Sequence, residues 1–185
     1  RAELTEFFRL ARSENVNALS LKGSYAGAMG LPQFMPSSYR KWAVDFDGDG
    51  HKDIWNNPVD AIGSVANYFR EHGWLGGDDV VIPAELAPGT VPDELAADKF
   101  NLHYTVAELK ARGVLPQAPV RDDALAVLVP LEVAPGVTRY WLGLNNFYTI
   151  TRYNKSTLYA MVAHELAQEI RNRYLAARFA VMPAP

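Results

Sequence analysis

The segment Asp45-Phe-Asp-Gly-Asp-Gly50 constrains the fold of this chain more than any other part of the sequence. Hard divalent cations prefer oxygen ligands, and an EF-hand loop supplies them from its positions one, three, five, seven, nine and twelve, with glycine at six. Asp45, Asp47 and Asp49 occupy positions one, three and five, and Gly50 occupies position six. The spacing therefore predicts a loop that holds a metal ion.

The second half of this loop fits the EF-hand pattern less closely. His51 at position seven needs to offer only its backbone carbonyl, and Asp53 at position nine can bind directly or through water. Position twelve is Asn56, where the pattern has glutamate, so Asp60 from the following helix is the candidate closing ligand. Because magnesium prefers fewer carboxylates, we expect a structural calcium ion. A solvated acidic turn is the alternative.

Composition excludes several classes of protein. The net charge is −3 and no basic run is present, which argues against nucleic-acid binding. The chain has no cysteine, so disulfide and thiolate chemistry are absent. It contains no run of about 18 apolar residues that could span a membrane. With 185 residues, 49% of them hydrophobic, it can form one sizeable core and a small subdomain.

Periodicity and cap residues predict an α+β fold that is mainly α. Helices are expected over residues 4–12, from Ser37 or Ser38 to Trp42, from Asn57 to Gly73, from Thr105, and from Ser156. Short apolar runs between turns predict strands at 80–82, 124–131 and 140–142. We expect three segments: 1–77, holding the first part of a helical core and the metal loop (45–60); 78–142, a small β-rich insertion; and 143–185, the C-terminal helical part of the core.

Three stretches resemble the B-type lytic murein transglycosylases. They are Gly23–Phe34, Asp45–Phe69 and Asn146–Asn154. The resemblance implies a lysozyme-like helical core and cleavage of the β-1,4 bond between N-acetylmuramic acid and N-acetylglucosamine in peptidoglycan. In this family one glutamate protonates the leaving oxygen and then activates the 6-hydroxyl of the muramic acid, which leaves a 1,6-anhydro end. We expect that glutamate to lie upstream of Arg1, since Glu14 is in a different sequence context.

The same resemblance implies roles for several residues of this chain. Ser24 and Gln33 match polar positions of the cleft, Met29 and Phe34 match its apolar wall, and Tyr68 matches a cleft tyrosine. Tyr153 and Asn154 match a pair at the floor of the active site, which Tyr148 could also reach. For Met29, Phe34 and Tyr68, packing in the core is the competing interpretation.

Other functional classes gain little support. The four histidines share no metal-ligand spacing, and no esterase nucleophile elbow, phosphate loop or zinc pattern occurs. A calcium-stabilised glycan-binding module without catalysis and a hydrolytic lysozyme remain the alternatives. By resemblance we expect a periplasmic protein whose partners are peptidoglycan strands, with other cell-wall enzymes as further candidates. Any membrane contact is expected through a lipid anchor outside this chain.

Overall fold

The computed structural model describes residues 1–180 of the chain. These residues form two compact units, the first from Arg1 to His72 and the second beginning at Gly73. More residues lie in helices than in strands, which confirms the predicted α+β, mainly α class. None of the helices in the described part of the chain has the length and apolarity needed to cross a membrane.

The first unit contains three helices, α1 (Ala2–Ser13), α2 (Pro36–Trp42) and α3 (Pro58–Glu71). Helix α3 begins where the sequence predicts. The side chain of Asn57 accepts hydrogen bonds from the backbone amides of Val59 and Asp60, and Pro58 occupies the first turn. After the last turn, Gly73 adopts a left-handed conformation with φ of 88°, which ends the helix.

The start of α2 differs from the prediction. The residue before the helix is Met35, whose side chain makes no cap hydrogen bond, and Pro36 opens the first turn. Ser37 and Ser38 therefore lie inside the helix, and the predicted cap at either serine is wrong. Glu3 on α1 takes over this role, since its carboxylate accepts hydrogen bonds from Ser37 N at 3.0 Å and Ser37 Oγ at 2.7 Å. Helix α1 is thereby attached to the start of α2.

The second unit is built on a five-stranded antiparallel sheet. The strands are β1 (Val81–Leu86), β2 (Tyr104–Thr105), β3 (Val114–Pro116), β4 (Leu125–Ala134) and β5 (Val137–Gly143), in the order β2-β4-β5-β1-β3. The strands that contain the three predicted apolar runs are β1, β4 and β5. All strands of the described chain fall within 81–143. The division of the chain into the three segments 1–77, 78–142 and 143–185 stays a prediction.

One face of the sheet carries the core of the second unit. Its buried members include Ile82, Leu128 and Leu142 from the sheet, together with residues of two short helices, α4 (Pro92–Leu95) and α5 (Val106–Ala111). Helix α5 begins with the predicted cap: Thr105 Oγ1 accepts from the amide of Glu108, whose carboxylate accepts from the amide of Thr105. This reciprocal pair fixes the helix start beside β2.

Two further helices complete the unit, α6 (Asn145–Tyr153) and α7 (Thr157–Ala180). The predicted cap of α7 is present, because Ser156 Oγ accepts from Tyr159 N at 3.1 Å. Apolar residues at helical spacing on α7 are nevertheless exposed: Val162, Leu166 and Ile170 are 53, 58 and 59% accessible. Periodicity identified the helix correctly but did not identify which of its side chains are buried.

Candidate functional site

The glycine-rich segment 23–34 folds into two successive tight turns. Isolated antiparallel bridges join Gly23 to Met29 and Met29 to Phe34. The second bridge has both backbone hydrogen bonds, Met29 N to Phe34 O at 2.8 Å and Phe34 N to Met29 O at 3.0 Å. Gly30 is required between them, because its φ is 67° and a Cβ there would meet Ile54 O at 2.6 Å.

Ser24 and Gln33, the two predicted polar contacts of the sugar, both lie exposed on these turns. Ser24 Oγ accepts a hydrogen bond from Ala28 N at 3.1 Å, so the hydroxyl also shapes the first turn. Gln33 has a φ of 53°, an unfavourable region for a residue with a Cβ, and its Nε2 donates to Gly30 O at 3.0 Å. The backbone thus holds the Gln33 amide in one position at the surface. Residues in unfavourable backbone conformations are common at ligand-binding sites.

Met29, Phe34 and Tyr68 are buried, with exposures of 2, 2 and 7%. The Phe34 ring lies 5.9 Å from that of Tyr68, which stacks on His72 at 3.8 Å and meets Trp42 edge-on at 4.8 Å. These contacts fit the packing interpretation, and contact of the three residues with a sugar stays a prediction. Their packing supports the turn that carries Gln33.

A groove of about 300 Å³ lies beside the first turn. Its lining includes Glu3, Phe7, Ser24, Tyr25 and Met29. Tyr25 is fully exposed at 110%, whereas Glu3 is half-buried and bound to Ser37. Ser24 and Met29 are therefore the predicted site residues that the structure brings to one surface depression.

The remaining predicted sugar contacts belong to the second unit. Tyr148 and Tyr153 lie on α6 and Asn154 follows its last residue. Tyr148 is packed under the guanidinium of Arg152, whose Cζ is 4.3 Å from the ring centre. Arg152 in turn donates to Phe100 O at 2.7 Å, so Tyr148 has a fixed orientation. Asn154 is exposed and Tyr153 is half-buried.

The predicted metal loop has the expected arrangement at its first three ligands. One carboxylate oxygen from each of Asp45, Asp47 and Asp49 lies within 4.8 Å of the other two, and this trio is the one such acidic cluster in residues 1–180. The backbone amide of Gly50, with those of Gly48 and Asp49, holds the pKa of Asp45 below its ordinary value. A hydrogen-bonded carboxylate of this kind stays ionised and available to a cation.

Asp53 and Asp60 lie outside that trio. Asp53 Oδ1 accepts from the amides of Trp55 and Asn56, both at 2.9 Å. Asp60 is fully buried and connects the two ends of the loop: Oδ1 accepts from Phe46 N at 2.7 Å and Oδ2 accepts from Asp53 N at 2.9 Å. The Asp60 carboxylate therefore holds the loop closed by accepting hydrogen bonds from backbone amides of the loop. Its role as a metal ligand stays a prediction.

The donor set fits a hard divalent cation. Three adjacent carboxylates are the ligands that calcium prefers, and they lie in an exposed loop with left-handed glycines at 48 and 50. Metal binding by the backbone carbonyl of His51 stays a prediction. We accordingly keep the full predicted set of Asp45, Asp47, Asp49, His51, Asp53 and Asp60 as a prediction.

Glu3 is a residue of this region that the sequence did not single out. Its partner Ser37 lies 34 positions away, so no local sequence pattern links the two residues. The same holds for the bond from Asn57 Nδ2 to Asp47 Oδ2 at 2.7 Å, which ties the cap of α3 to the metal loop. A capping asparagine was predictable, but its second contact depends on how the loop folds back.

Comparison with known proteins identifies the family of this chain. The model of the transglycosylase SLT domain family matches residues 1–168. Membrane-bound lytic murein transglycosylase B of Escherichia coli (strain K12) is 52% identical over 169 residues, which are 91% of this chain and 45% of that protein. The chain thus spans about half the length of the curated relative that it matches.

Solved structures give the same result. Catenated lytic transglycosylase SltB1 from Pseudomonas aeruginosa is 50% identical, with a TM-score of 0.87 over 93% of this chain and 56% of that one. Escherichia coli Slt35, solved in complex with calcium, is 48% identical, with a TM-score of 0.83 over 94% of this chain and 54% of that one. This chain belongs to the transglycosylase SLT domain family and, within it, to the B-type lytic transglycosylases.

Proposed function

We propose that this chain is part of a peptidoglycan lytic transglycosylase that cleaves the N-acetylmuramic acid β-1,4 N-acetylglucosamine bond and leaves 1,6-anhydro ends. The observation that carries the proposal is the 52% identity with a lytic murein transglycosylase along 91% of the chain. A more distant solved relative, SltB3 from Pseudomonas aeruginosa (34% identical, TM-score 0.71), is in complex with NAG-anhNAM-pentapeptide. An anhydro sugar is the product that distinguishes this reaction from hydrolysis.

In this proposal, Ser24 and Gln33 bind the sugar. Amide and hydroxyl groups suit sugar hydroxyls and acetamido groups, and the exposed Gln33 amide is held by its bond to Gly30 O at 3.0 Å. Met29, Phe34 and Tyr68 form the apolar wall behind the turns. Sugar contacts are proposed for Tyr148, Tyr153 and Asn154 as well. None of these residues is proposed to transfer the proton.

We further propose that calcium binds at the Asp45, Asp47 and Asp49 carboxylates and serves the fold. Support comes from their spacing within 4.8 Å and from the calcium in the Slt35 structure. When bound, the ion neutralises the clustered carboxylates. The chain itself does the rest: Asp60 closes the loop, and Asn57 joins it to α3.

The reaction is tested by digesting purified sacculi with the intact protein and analysing the muropeptides by mass spectrometry. We expect products with 1,6-anhydro ends, each lighter by one water than the corresponding reducing end. Reducing ends would instead indicate a hydrolytic lysozyme, and uncleaved but bound sacculi would indicate a glycan-binding module. A peptidoglycan substrate supports the proposal of a periplasmic location, which fractionation of the source cells would test.

A further inference from the structure

The sheet of the second unit has a second face that is only partly covered. Tyr140 and Leu142 of β5 pack against the core of the unit, so their neighbours Arg139 and Trp141 lie on the opposite face. Trp141 is paired in register with Pro83 on β1 and Val129 on β4.

Helix α6 covers one end of this face. A Cβ added at Gly143 would meet the ring of Phe147 at 2.6 Å and Val129 at 3.0 Å, which shows how closely the helix approaches there. Beyond Trp141 the sheet opens into a groove of about 590 Å³. The groove lies where β1 and β5 stop pairing after Ala84 and Tyr140. Its lining includes Pro83, Glu85, Gln117, Thr138, Arg139 and Trp141, together with Ala84, Leu86 and Tyr140 from the core side of the sheet.

The composition of the groove indicates its ligand. Trp141 is half-buried, whereas Glu85, Gln117 and Arg139 are exposed. The amide of Gln117 donates to Pro83 O at 2.8 Å, which extends β3 beside β1 and brings the Gln117 side chain to the edge of the groove. An aromatic ring surrounded by planar amide, carboxylate and guanidinium groups is suited to sugars, whose C–H faces pack on rings and whose hydroxyls bond to such groups.

We propose that this groove binds a peptidoglycan strand as an additional site, separate from the turns that carry Ser24 and Gln33. The inference rests on the proposed function. A sugar ring packs on Trp141, and the stem peptide, which carries carboxylate and ammonium groups, meets Arg139 and Glu85. One positive and one negative side chain give no net charge, which does not suit a polyanion such as nucleic acid or an anionic lipid surface.

The test is an NMR titration of isotope-labelled protein, with the Trp141 indole signal assigned from a Trp141→Phe variant. The ligands are a disaccharide-pentapeptide muropeptide and the same disaccharide without its peptide. We expect both to shift the Trp141 indole signal and the muropeptide to bind more tightly. Arg139→Glu should weaken muropeptide binding by about fivefold, as loss of an exposed ion pair does, and leave the melting temperature unchanged.

The matched control is Arg171→Glu, which reverses an exposed charge on α7 of the same unit and should leave binding unchanged. The inference is overturned if neither ligand shifts the Trp141 indole signal, or if Arg139→Glu binds the muropeptide as the unchanged protein does. Failure of the proposed function would look different: the intact protein would release no anhydro muropeptides from sacculi, whatever the Trp141 signal does.

Discussion

Gln33 combines an unfavourable backbone with an exposed polar side chain. Its φ of 53° costs about 1–2 kcal/mol for a residue with a Cβ. Glycine would avoid this cost, so a glutamine at such a position suggests that its side chain is used. The backbone conformation and the exposure of Gln33 are observed, whereas its contact with a sugar is a proposal.

We therefore predict that Gln33→Gly raises stability and lowers activity. Relief of the left-handed conformation should stabilise the fold by up to about 1 kcal/mol, since glycine also adds freedom to the unfolded chain. Loss of one transition-state hydrogen bond should reduce turnover about tenfold to a hundredfold. Urea unfolding and the release of anhydro muropeptides by the intact protein measure the two effects.

Asn15 provides the matched control for this prediction. It is the other non-glycine residue with positive φ in residues 1–180, at 52°, and it is exposed. Asn15→Gly should change stability slightly, because asparagine tolerates this conformation, and should leave turnover unchanged. Native turnover in Gln33→Gly would contradict the assignment of Gln33 to the cleft.

Asp60 allows a prediction that separates a structural role from a metal ligand. Asp60→Ala leaves the amides of Phe46 and Asp53 without their carboxylate acceptor. Each lost partner of a buried donor costs about 1–3 kcal/mol, so we expect a total of about 2–6 kcal/mol in urea unfolding. This loss should appear with EGTA as well as with calcium. A loss seen only with calcium would show that Asp60 acts as a ligand instead.

At the scale of elements, the capping box of α5 is a local feature with a measurable effect. Thr105→Ala should lower the free energy of unfolding by about 0.5–2 kcal/mol, as loss of an N-cap does. Ser156→Ala, which removes the cap of α7, is the matched variant. An unchanged unfolding midpoint in Thr105→Ala would contradict the observed reciprocal bonding.

The same capping box gives a pH dependence with a defined sign. The Thr105 amide and hydroxyl hold the pKa of Glu108 below its ordinary value of 4.5. A depressed carboxyl pKa contributes stability that is present above 4.5 and lost as the pH falls through the folded value. Acid titration of stability should therefore be less steep below pH 4.5 in Glu108→Gln than in the unchanged protein.

Caps and short apolar runs were predictable because their signals lie within a few residues. Asn57, Thr105 and Ser156 each cap the helix that the sequence assigned to them. The start of α2 was not predictable, because the carboxylate that accepts its hydrogen bonds, that of Glu3, comes from another helix. Likewise, burial of Phe34 against Tyr68 was not predictable, because it depends on packing between distant segments.

At the scale of the whole molecule, metal binding should affect the two units differently. The carboxylate trio lies in the first unit, between α2 and α3, where Ser64 Oγ accepts from Val44 N at 3.0 Å and Asn67 Nδ2 donates to Trp42 O at 2.9 Å. An ion that orders the loop therefore holds two helices together. The second unit contributes none of the predicted ligands.

We predict that calcium slows hydrogen exchange in α2, α3 and residues 45–60 and leaves exchange in β1, β4 and β5 unchanged. A ligand present at a hundredfold excess over its Kd stabilises the state that binds it by about 2.7 kcal/mol, which corresponds to about a hundredfold slower exchange from globally unfolded forms of the unit. Mass spectrometry of peptides from calcium-loaded and EGTA-treated protein measures this change. Asp49→Ala should abolish it, while Asp93→Ala, an acidic change in the second unit, should not. Identical exchange with calcium and with EGTA in the unchanged protein would mean that residues 45–50 form an acidic turn without a metal.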